Sequence, residues 1–517
     1  MEFKKKTLIW ETNTEPPKNY IWIKEDGKAY EYNNVIKNWT ESNTISVGIS
    51  DKQKIQYVED YLGATLEDYF GITLEPNIDE KYYQYFTIEA TEDDTVVYFR
   101  QSSYAVSDGI APLKVEVSTD DGETWQEITA APAEDDVPGT EITTLGAGDK
   151  ILVRGDNEAY GYYSSSVADT VENCNFWANK NCYVYGNIMS LISRDNFARL
   201  RKVKEWAFAY FFSDYDGDLS SWILSKEEEM LLLPATTLAK SCYESMFYNC
   251  TGLTAAPELP ATTLAQSCYN SMFHGCTSLT SAPELPATTL ASYCYFGMFS
   301  NCTSLEVTPE LPATTLADNC YYAMFSGCTS LTTAPVLPAT MLEGGCYNQM
   351  FYGCSNLTAA PELPVTTLAP DCYREMFKNC TGLTTAPELP ATTLATRCYY
   401  SMFHNCTGLT TAPVLSATAL ADYCYYYMFN GCTSLTTAPE LPATTLAQSC
   451  YGSMFNGCTN LNHIKAMFTT TPGAAYTQMW VVGVSQTGTF VKNSAATWNV
   501  TSVNGIPIGW TVETADA

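Results

Sequence analysis

The chain has 517 residues, a formal net charge of −30 and a charged fraction of only 16%. Its length predicts several domains. The excess of carboxylates argues against a nucleic-acid partner, because phosphate backbones are bound through lysine and arginine. No segment is apolar over the roughly 20 residues that a membrane helix needs, so the sequence predicts no membrane insertion.

Residues 1–50 predict a small β domain. Ile21–Ile23 and Ala29–Tyr32 flank Glu25–Gly27, and an aspartate-glycine turn between alternating aromatic strands is a strong hairpin signal. We expect this domain to attach the chain to other proteins. The N-terminal lysines are followed only by the short apolar run Leu8–Trp10, so an ordinary secretory signal is not predicted and assembly in the cytoplasm is expected.

Residues 51–80 predict a helical linker. Ile55, Val58, Leu62 and Leu66 fall on one side of a helix over residues 51–70. A short bundle in a homo-oligomer is the alternative to a linker.

Residues 81–165 predict a β-sandwich of the immunoglobulin-like type. Turn residues separate the expected strands at sandwich spacing, and the strands are Tyr85–Ala90, Thr95–Arg100, Leu113–Val117, Trp125–Ile128 and Lys150–Arg154. Ser118–Trp125 resembles the Asp-box of sialidase-like propellers, S-x-D-x-G-x-T-W, which staples a turn. One copy does not make a propeller, so a structural hairpin is predicted.

Residues 233–462 contain nine copies of a 26-residue unit, seen most clearly at Leu259–Glu284. The first cysteines of the copies recur without insertion at Cys242, Cys268, Cys294, Cys320, Cys346, Cys372, Cys398, Cys424 and Cys450. A fixed period of this length is the signature of a solenoid, in which each copy stacks on its neighbours.

Each copy is predicted to form one helix and one short strand. We number positions from the first cysteine as zero. A helical turn of 100° per residue places positions −3, 0, +1, +4 and +5 in one arc and −2, −1, +2, +3 and +6 in the opposite arc. The first set hardly varies and is predicted to be packed, whereas the second varies freely and is predicted to be displayed. Position +7 is always asparagine or glycine, which indicates a helix C-cap.

Caps are expected at both ends of the array, at residues 166–232 and 463–517. In the first, Trp206–Phe212 stands where later copies have their helix. Asp214, Asp216 and Asp218 follow, but the run lacks the glycine and glutamate of a calcium loop at the required places, so no metal site is predicted. The second cap is predicted to have a helix around Ala474–Val482 and strands at Gly488–Val491 and Gly509–Val512.

Eighteen of the 20 cysteines belong to the repeats, two per copy, at packed positions. Two columns of buried thiols are predicted, because cysteines two helical turns apart are about 12 Å distant and a disulfide needs Cα atoms within roughly 7 Å. Bridges between copies are the main alternative. Metal binding is disfavoured, because thiols in an apolar stack resist ionisation. Cys174 and Cys182 lie outside the array and receive no assignment.

The core MFHGCTSL at Met272–Leu279, the Leu-Pro turn and the near-identical copies resemble the BspA-type leucine-rich repeats of Bacteroides-type bacteria and their phages. Gly186–Ile192 and Gly488–Val512 are similar to that family's N- and C-terminal segments. The resemblance implies adhesion through protein or glycan binding, with no catalytic residue and no cofactor. The predicted fold class is therefore α+β multidomain, with N-terminal β-rich domains followed by a leucine-rich-repeat α/β solenoid with terminal caps.

The displayed face is the candidate binding surface. Of its 45 residues, 27 are Tyr, Ser, Asn or Gly, a mixture that resembles antibody paratopes. A merely soluble face would carry more lysine and glutamate, although drift at solvent positions is the alternative. The candidate ligand-binding residues are Tyr248, Tyr293, Phe296, Tyr322, Tyr352, Arg397, Tyr400, His404, Tyr423, Tyr426 and Tyr427.

The sequence offers little for catalysis. The only histidines are His274, His404 and His463, and no histidine-centred triad or metal cluster can be built from them with repeat geometry. A row of glutamates predicts either a solvated edge or a contact line bridged by cations, and its members are Glu258, Glu284, Glu310, Glu362, Glu388 and Glu440.

Together these features predict a non-enzymatic adhesion or receptor-binding protein. The first expectation is a phage virion fibre or tail component that recognises a bacterial surface glycan or protein through the repeats and other virion proteins through its N-terminal region. A bacterial cell-surface adhesin is the alternative, and a glycan-active enzyme comes third.

Overall fold

The computed structural model describes residues 79–132, 138–161, 175–213, 222–226 and 228–515, together with six strands between residues 7 and 76. The predicted helix at 51–70, Asp214, Asp216, Asp218 and Cys174 lie outside these residues. The chain divides into two compact units, residues 1–84 and 85–517. The domain boundaries drawn from the sequence stay predictions.

The first unit contains two small sheets. Its strands are β1 (Thr7–Trp10), β2 (Tyr20–Ile23), β3 (Ala29–Asn33), β4 (Asn38–Glu41), β5 (Thr44–Val47) and β6 (Thr73–Pro76). β1 to β4 form one sheet in chain order, and β5 pairs with β6 in parallel. The predicted hairpin is confirmed, because β2 and β3 pair antiparallel with Trp22 opposite Tyr30. A 3₁₀ turn at Glu80–Tyr83 follows.

The second unit begins with a β region. Its strands are β7 (Phe86–Ala90), β8 (Thr95–Phe99), β9 (Lys114–Ser118), β10 (Gln126–Thr129), β11 (Thr140–Leu145), β12 (Lys150–Gly155), β13 (Phe176–Ala178), β14 (Cys182–Asn187), β15 (Ile223–Leu224) and β16 (Leu231–Leu232). The five strands predicted here from alternating polarity are confirmed to within one residue at each end. In the described part of this region, three short helical segments accompany them, at Ser103–Ser107, Ile188–Leu191 and Phe197–Arg199.

Two sheets in this region pack face to face. The larger has the order β10-β9-β12-β7-β14-β15, with β16 also paired to β14, and the smaller has the order β11-β8-β13. Phe86 on β7 meets Phe176 on β13 with ring centroids 5.7 Å apart. Phe211, in the layer of turns ahead of the first copy, lies 5.7 Å from Phe176. The apolar core of the sheets therefore continues into that of the repeats.

The Asp-box segment is a structural hairpin, as predicted. It connects β9 to β10, which pair antiparallel. The Asp120 carboxylate accepts hydrogen bonds from the Thr124 amide at 2.9 Å and from the hydroxyls of Thr124 and Ser118. These donors, Thr124 first, lower the pKa of Asp120 to about 2. Arg154 covers the Trp125 ring at 3.9 Å, so the motif closes a turn.

The repeats contain no helix, and the predicted α+β fold class is wrong. Residues 233–461, all of which the structure describes, form turns and single parallel bridges instead of the predicted helices, strands and α/β solenoid. The stacked rings of the buried tyrosines at +1 and phenylalanines at +5 lie 5.3–5.9 Å apart in neighbouring copies. Packed helices need axes about 8–10 Å apart, so this spacing leaves no room for a helix in each copy.

The hydrogen bonds between copies explain why turns form. In the first copy, Met246 N–H donates to the Tyr243 carbonyl three residues back, at 3.3 Å. The alternate amides donate to the next copy, Tyr243 N–H to Cys268 O at 3.0 Å and Phe247 N–H to Met272 O at 2.9 Å. An α-helix would use all of these amides internally. In the turns, every second amide is left to donate to the next copy, so the backbones of neighbouring copies are hydrogen-bonded directly to each other.

Every second turn needs a left-handed residue. Positive φ angles recur at positions −1, +3 and +7, as at Ser241 (52°), Ser245 (51°) and Asn249 (58°). A turn with positive φ at its third residue is of type II, which favours glycine and asparagine there. The restriction of position +7 to these residues therefore has a conformational cause, as predicted, but it serves a turn and not a helix C-cap.

Identical side chains stack in columns through the array. The tyrosines at +1 and the phenylalanines at +5 form two columns of nearly parallel rings, for example Tyr321 on Tyr347 at 5.8 Å and Phe325 on Phe351 at 5.7 Å. Positions 0, +1, +4 and +5 are buried in every copy, which confirms those packed positions. The alanine at −3 is only half-buried in most copies.

Both cysteine columns are buried free thiols, as predicted. The second thiol of each copy donates to the phenylalanine carbonyl of the copy before it, as Cys354 Sγ does to Phe325 O at 3.0 Å. The thiol therefore adds a contact between copies. Burial raises the pKa of Cys354 to about 12, which keeps this donor protonated.

One further layer closes the array at each end. Trp206–Phe212 repeats the turn pattern ahead of the first copy, with Phe208 stacked on Tyr243 and Phe212 on Phe247. At the other end Phe455 N–H donates to Trp480 O at 2.9 Å. The helix predicted around Ala474–Val482 is wrong, because this segment also forms turns.

The C-terminal strands are β17 (His463–Ala466), β18 (Thr489–Asn493) and β19 (Thr511–Ala515), and they pair in parallel in that order. They confirm the two strands predicted in this cap, shifted towards the C-terminus. Among the described residues, no helix is long and apolar enough to cross a membrane.

Candidate recognition surface

The outer surface of the turn segments consists mainly of positions −2, −1, +2 and +6. These side chains are exposed or half-buried in most copies. Position +3 differs from the sequence prediction, because it is buried in six of the nine copies, including Ala323 and Ser401. Its amide lies on the side that bonds to the next copy, which leaves little room for a displayed side chain.

Five predicted site residues meet at one place on this surface. We call Tyr400, His404, Tyr423, Tyr426 and Tyr427 the tyrosine cluster. Tyr426 is central, with ring centroids 4.5 Å from Tyr427, 5.3 Å from Tyr400 and 5.6 Å from Tyr423. His404 lies 5.8 Å from Tyr427. The cluster spans two adjacent copies and is only half-buried.

Two of these tyrosines occupy a costly backbone conformation. Tyr423 and Tyr427 have φ near 57°, at positions −1 and +3, which have positive φ in every copy and most often carry serine. A left-handed conformation costs a bulky residue about 1–2 kcal/mol. Strain of this kind persists where the surrounding structure holds it in place, and it concentrates at functional sites. Because positions −1 and +3 have the same conformation in every copy, this strain does not by itself distinguish the tyrosine cluster from the rest of the array.

The cluster is uncharged at neutral pH. Burial and the hydroxyl of Tyr427 raise the pKa of Tyr426 to about 12. Burial, followed by the nearby Lys378, lowers the pKa of His404. Both shifts favour neutral side chains, so the cluster offers rings, hydroxyls and one imidazole to a partner.

A groove lies beside the cluster, towards the N-terminus of the array. It has a volume of about 650 Å³, and we define it by Tyr293, Asp318, Tyr322, Gly344, Asn348 and Arg374. Gly344 and Gly345 stand at −2 and −1 of the fifth copy, where neighbouring copies carry larger side chains. The groove therefore exists because one copy has no side chains at two outer positions.

A charged link joins the groove to the tyrosine cluster. The Arg374 guanidinium lies over the Tyr400 ring at 4.9 Å from its centroid. Asp371, another groove residue, pairs with Arg374 at 3.4 Å and with Arg397 at 3.2 Å. The groove and the cluster thus form one continuous surface with closely matched charges.

The remaining predicted site residues form smaller groups. Phe296 stacks on Tyr322 at 4.5 Å and lies 5.9 Å from Tyr293, which is 37% exposed, and these rings border the groove. Tyr248 stacks on His274 near the start of the array. Tyr352 lies under Lys378, 5.5 Å away. The structure therefore places Tyr248 apart from the others.

Sequence reasoning missed several residues of this surface. Asp318, Asn348, Asp371 and Arg374 stand at positions predicted to be displayed, but the sequence does not predict that they bind a ligand. The only signal was the Gly344-Gly345 pair, found in one copy alone. Within the described part of the chain, no group of three or more His, Cys, Asp or Glu side chains is arranged to hold a metal ion.

In each copy that carries it, the glutamate of this row lies outside the turn segment that carries positions −2 to +6. All six of its members are exposed, and Val336 and Val414, which interrupt the row, are 80% and 64% exposed. Lys465 pairs with Glu440 at 3.0 Å at the C-terminal end. A solvated edge and a cation-bridged contact line both stay predictions.

The stack of turn-built copies agrees with a known family. A family model for the BspA type leucine-rich repeat region matches residues 233–358 and 347–476, with six copies. Residues 233–476 are a BspA-type leucine-rich repeat region. The resemblance drawn from the repeated core and the Leu-Pro turn is thereby confirmed.

No curated protein and no solved structure matches the chain. The BspA-type match indicates a protein of the surface or adhesion type. Repeat regions of this family are typically non-enzymatic and are often found at cell surfaces.

Proposed function

We propose that this BspA-type protein recognises a bacterial surface receptor, a glycan or a protein, through the tyrosine cluster and the adjoining groove. The observation that carries the proposal is the half-buried group of four tyrosines and one histidine, in which the Tyr426 ring lies 4.5–5.6 Å from the rings of Tyr427, Tyr400 and Tyr423. Tyrosine supplies a large contact area at low conformational entropy. The matched charges around Asp371 fit a partner that is bound mainly by uncharged contacts.

We place the protein in the virion of a phage, as a fibre or tail component joined to other virion proteins through its N-terminal region. Two features support this: the repeats present a diversified surface on a repeated scaffold, and the predicted small β domain precedes them. The protein acts without catalysis. A bacterial cell-surface adhesin is the second candidate, and the BspA-type match favours it because such proteins are often found at cell surfaces.

Attachment of the purified full chain to bacteria tests the recognition surface. The variant Tyr426→Ala/Tyr427→Ala removes two central rings, and loss of hot-spot side chains of this size weakens binding by about 2 kcal/mol or more, which is roughly thirtyfold. Tyr83→Ala is the matched control, because Tyr83 is 50% exposed and lies in the first unit. Unchanged attachment of the double variant would refute the proposed site.

Localisation is tested separately. An antibody against the repeats should label purified phage particles in electron micrographs. Labelling of bacterial cells that carry the gene but release no particles would favour the adhesin instead.

A further inference from the structure

The groove contains polar atoms that lack a partner. Asn348 is 7% exposed, and its Oδ1 accepts no hydrogen bond from the described residues. The Nε of Arg374 likewise donates to no described acceptor. A buried polar atom without a partner destabilises the fold relative to a bonded one. The groove therefore holds one acceptor and one donor whose hydrogen-bonding capacity is unused.

Both atoms belong to side chains that line a space open to a ligand. Asn348 stands at +2 of the fifth copy and Arg374 at +2 of the sixth, so they are neighbours in the stack. Both atoms are themselves buried, so they reach a ligand only when their side chains turn. The terminal torsion of the Asn348 amide has a broad energy profile, which permits such a turn. At about 650 Å³ the groove falls in the range of small-molecule sites, about 300–1,000 Å³.

The lining indicates the chemistry of the ligand. Tyr293 and Tyr322 supply aromatic surface, and Asp318 and Asp371 supply carboxylate acceptors. The Arg374 charge is already paired with Asp371 at 3.4 Å. Two carboxylates disfavour an acidic ligand, while acceptors, one free donor and flat rings suit a molecule with several hydroxyls and apolar ring faces.

We infer that the groove around Gly344 is a binding subsite for a neutral saccharide, with Asn348 and Arg374 bonding to its hydroxyls and Tyr293 and Tyr322 packing against its rings. This inference rests on the proposed recognition function and names its ligand class. The Gly344-Gly345 pair admits the sugar, because any side chain at these positions would fill the space that the sugar occupies.

Binding of the full chain to an array of neutral gluco-, galacto- and manno-oligosaccharides, beside matched uronic-acid oligosaccharides and peptides, tests the ligand class. The best neutral oligosaccharide is then titrated by calorimetry. Gly344→Gln places in the groove the side chain that the second and ninth copies carry at this position. Its Cβ would lie 3.0 Å from Oδ1 at the flexible end of Asp318 and 4.0 Å from the Pro370 carbonyl oxygen, so folding is retained. Thr396→Gln, at the same position of the seventh copy and outside the groove, is the control.

Gly344→Gln and Asn348→Ala should each weaken saccharide binding about tenfold or more, the equivalent of one lost hydrogen bond. Thr396→Gln should leave binding unchanged. Binding of peptides or uronic-acid oligosaccharides alone, no saccharide binding at all, or wild-type affinity in Gly344→Gln would overturn the inference.

Cell attachment separates this inference from the proposed function. If Gly344→Gln attaches to bacteria like the wild type while Tyr426→Ala/Tyr427→Ala does not, the groove assignment fails and the recognition surface stands. If the wild type attaches to no bacterium, the proposed function fails, and the calorimetric titration still decides the groove.

Discussion

Gly353 and Gly275 form a matched pair that separates backbone strain from steric contact. Both stand at +7, both have φ of 72°, and both amides donate to the following copy at 2.8 Å. A Cβ at Gly353 would meet nothing nearer than Gly327 Cα, at 3.9 Å. A Cβ at Gly275 would collide with the Asn249 Oδ1 atom and approach its Cγ to 3.3 Å.

Alanine at the two sites should therefore lower the free energy of unfolding by unequal amounts. For Gly353→Ala, left-handed strain of about 1–2 kcal/mol is partly offset by about 0.4–1 kcal/mol of lost freedom in the unfolded chain, which leaves a destabilisation of about 1 kcal/mol. Gly275→Ala adds an overpacking term of about 1–3 kcal/mol. Guanidinium unfolding followed by near-ultraviolet circular dichroism measures both.

A double variant tests whether the Asn249 side chain is the group that a Cβ at residue 275 would meet. In the background Asn249→Gly, the additional cost of Gly275→Ala should fall to that of Gly353→Ala, because the colliding amide is gone. Equal costs for the two single variants would show that the Asn249 side chain moves aside without cost. A stabilising Gly353→Ala would show that position +7 is not held in the left-handed turn described above.

Three further predictions concern other parts of the chain. Burial raises the pKa of Cys302 to about 12, so the thiol should resist iodoacetamide at pH 8 in the folded chain and react after unfolding; rapid alkylation of the folded chain would contradict the buried column. The carboxyl of Asp120 should titrate near pH 2 by NMR, and because its folded pKa lies below the ordinary value of about 4, its stabilisation is present above pH 4 and is lost as the pH falls through 2. Thr124→Val should move that pKa back towards 4. Trp480→Ala should destabilise the C-terminal cap by about 3–5 kcal/mol in guanidinium unfolding, because the ring is fully buried on Phe455, whereas Met479→Ala, at a site 45% exposed, should have little effect.

The packed positions of each copy could be predicted from sequence, but their backbone could not. In an α-helix and in a chain of successive turns alike, side chains about four residues apart point to the same side. The invariant residues Cys320, Tyr321, Met324 and Phe325 are therefore compatible with both backbones. The hydrogen bonds that decide between turns and a helix, such as Tyr321 N–H to Cys346 O, join different copies. The sequence of a single copy therefore does not reveal them. Local pattern therefore located the core while misassigning the element that presents it.

The positions with a left-handed backbone could be predicted from the sequence only in part. Position +7 is restricted to asparagine and glycine, but −1 and +3 accept Arg397, Tyr423 and Glu375 despite φ values of 53–57°. Bonds to both neighbouring copies hold these residues in place, which overrides local preference.

The candidate site was predicted in part, for a similar reason. The tyrosines of the cluster were selected by residue type, and the structure brings Tyr400, Tyr423, Tyr426 and Tyr427 together. The groove could not be predicted, because it depends on what stands beside Gly344 in the copies before and after it. Whether these residues bind a ligand stays a prediction.

The regular exchange of amide bonds bears on how such a chain changes over generations. Because every copy donates to its successor and accepts from its predecessor at equivalent atoms, an in-frame deletion or duplication of one whole period regenerates the same junction wherever it falls. Unequal recombination between near-identical gene segments can thus lengthen or shorten the protein without a folding penalty at the seam. Such an event would also bring outer side chains together in new combinations, which gives this architecture a rapid route to a different outer surface.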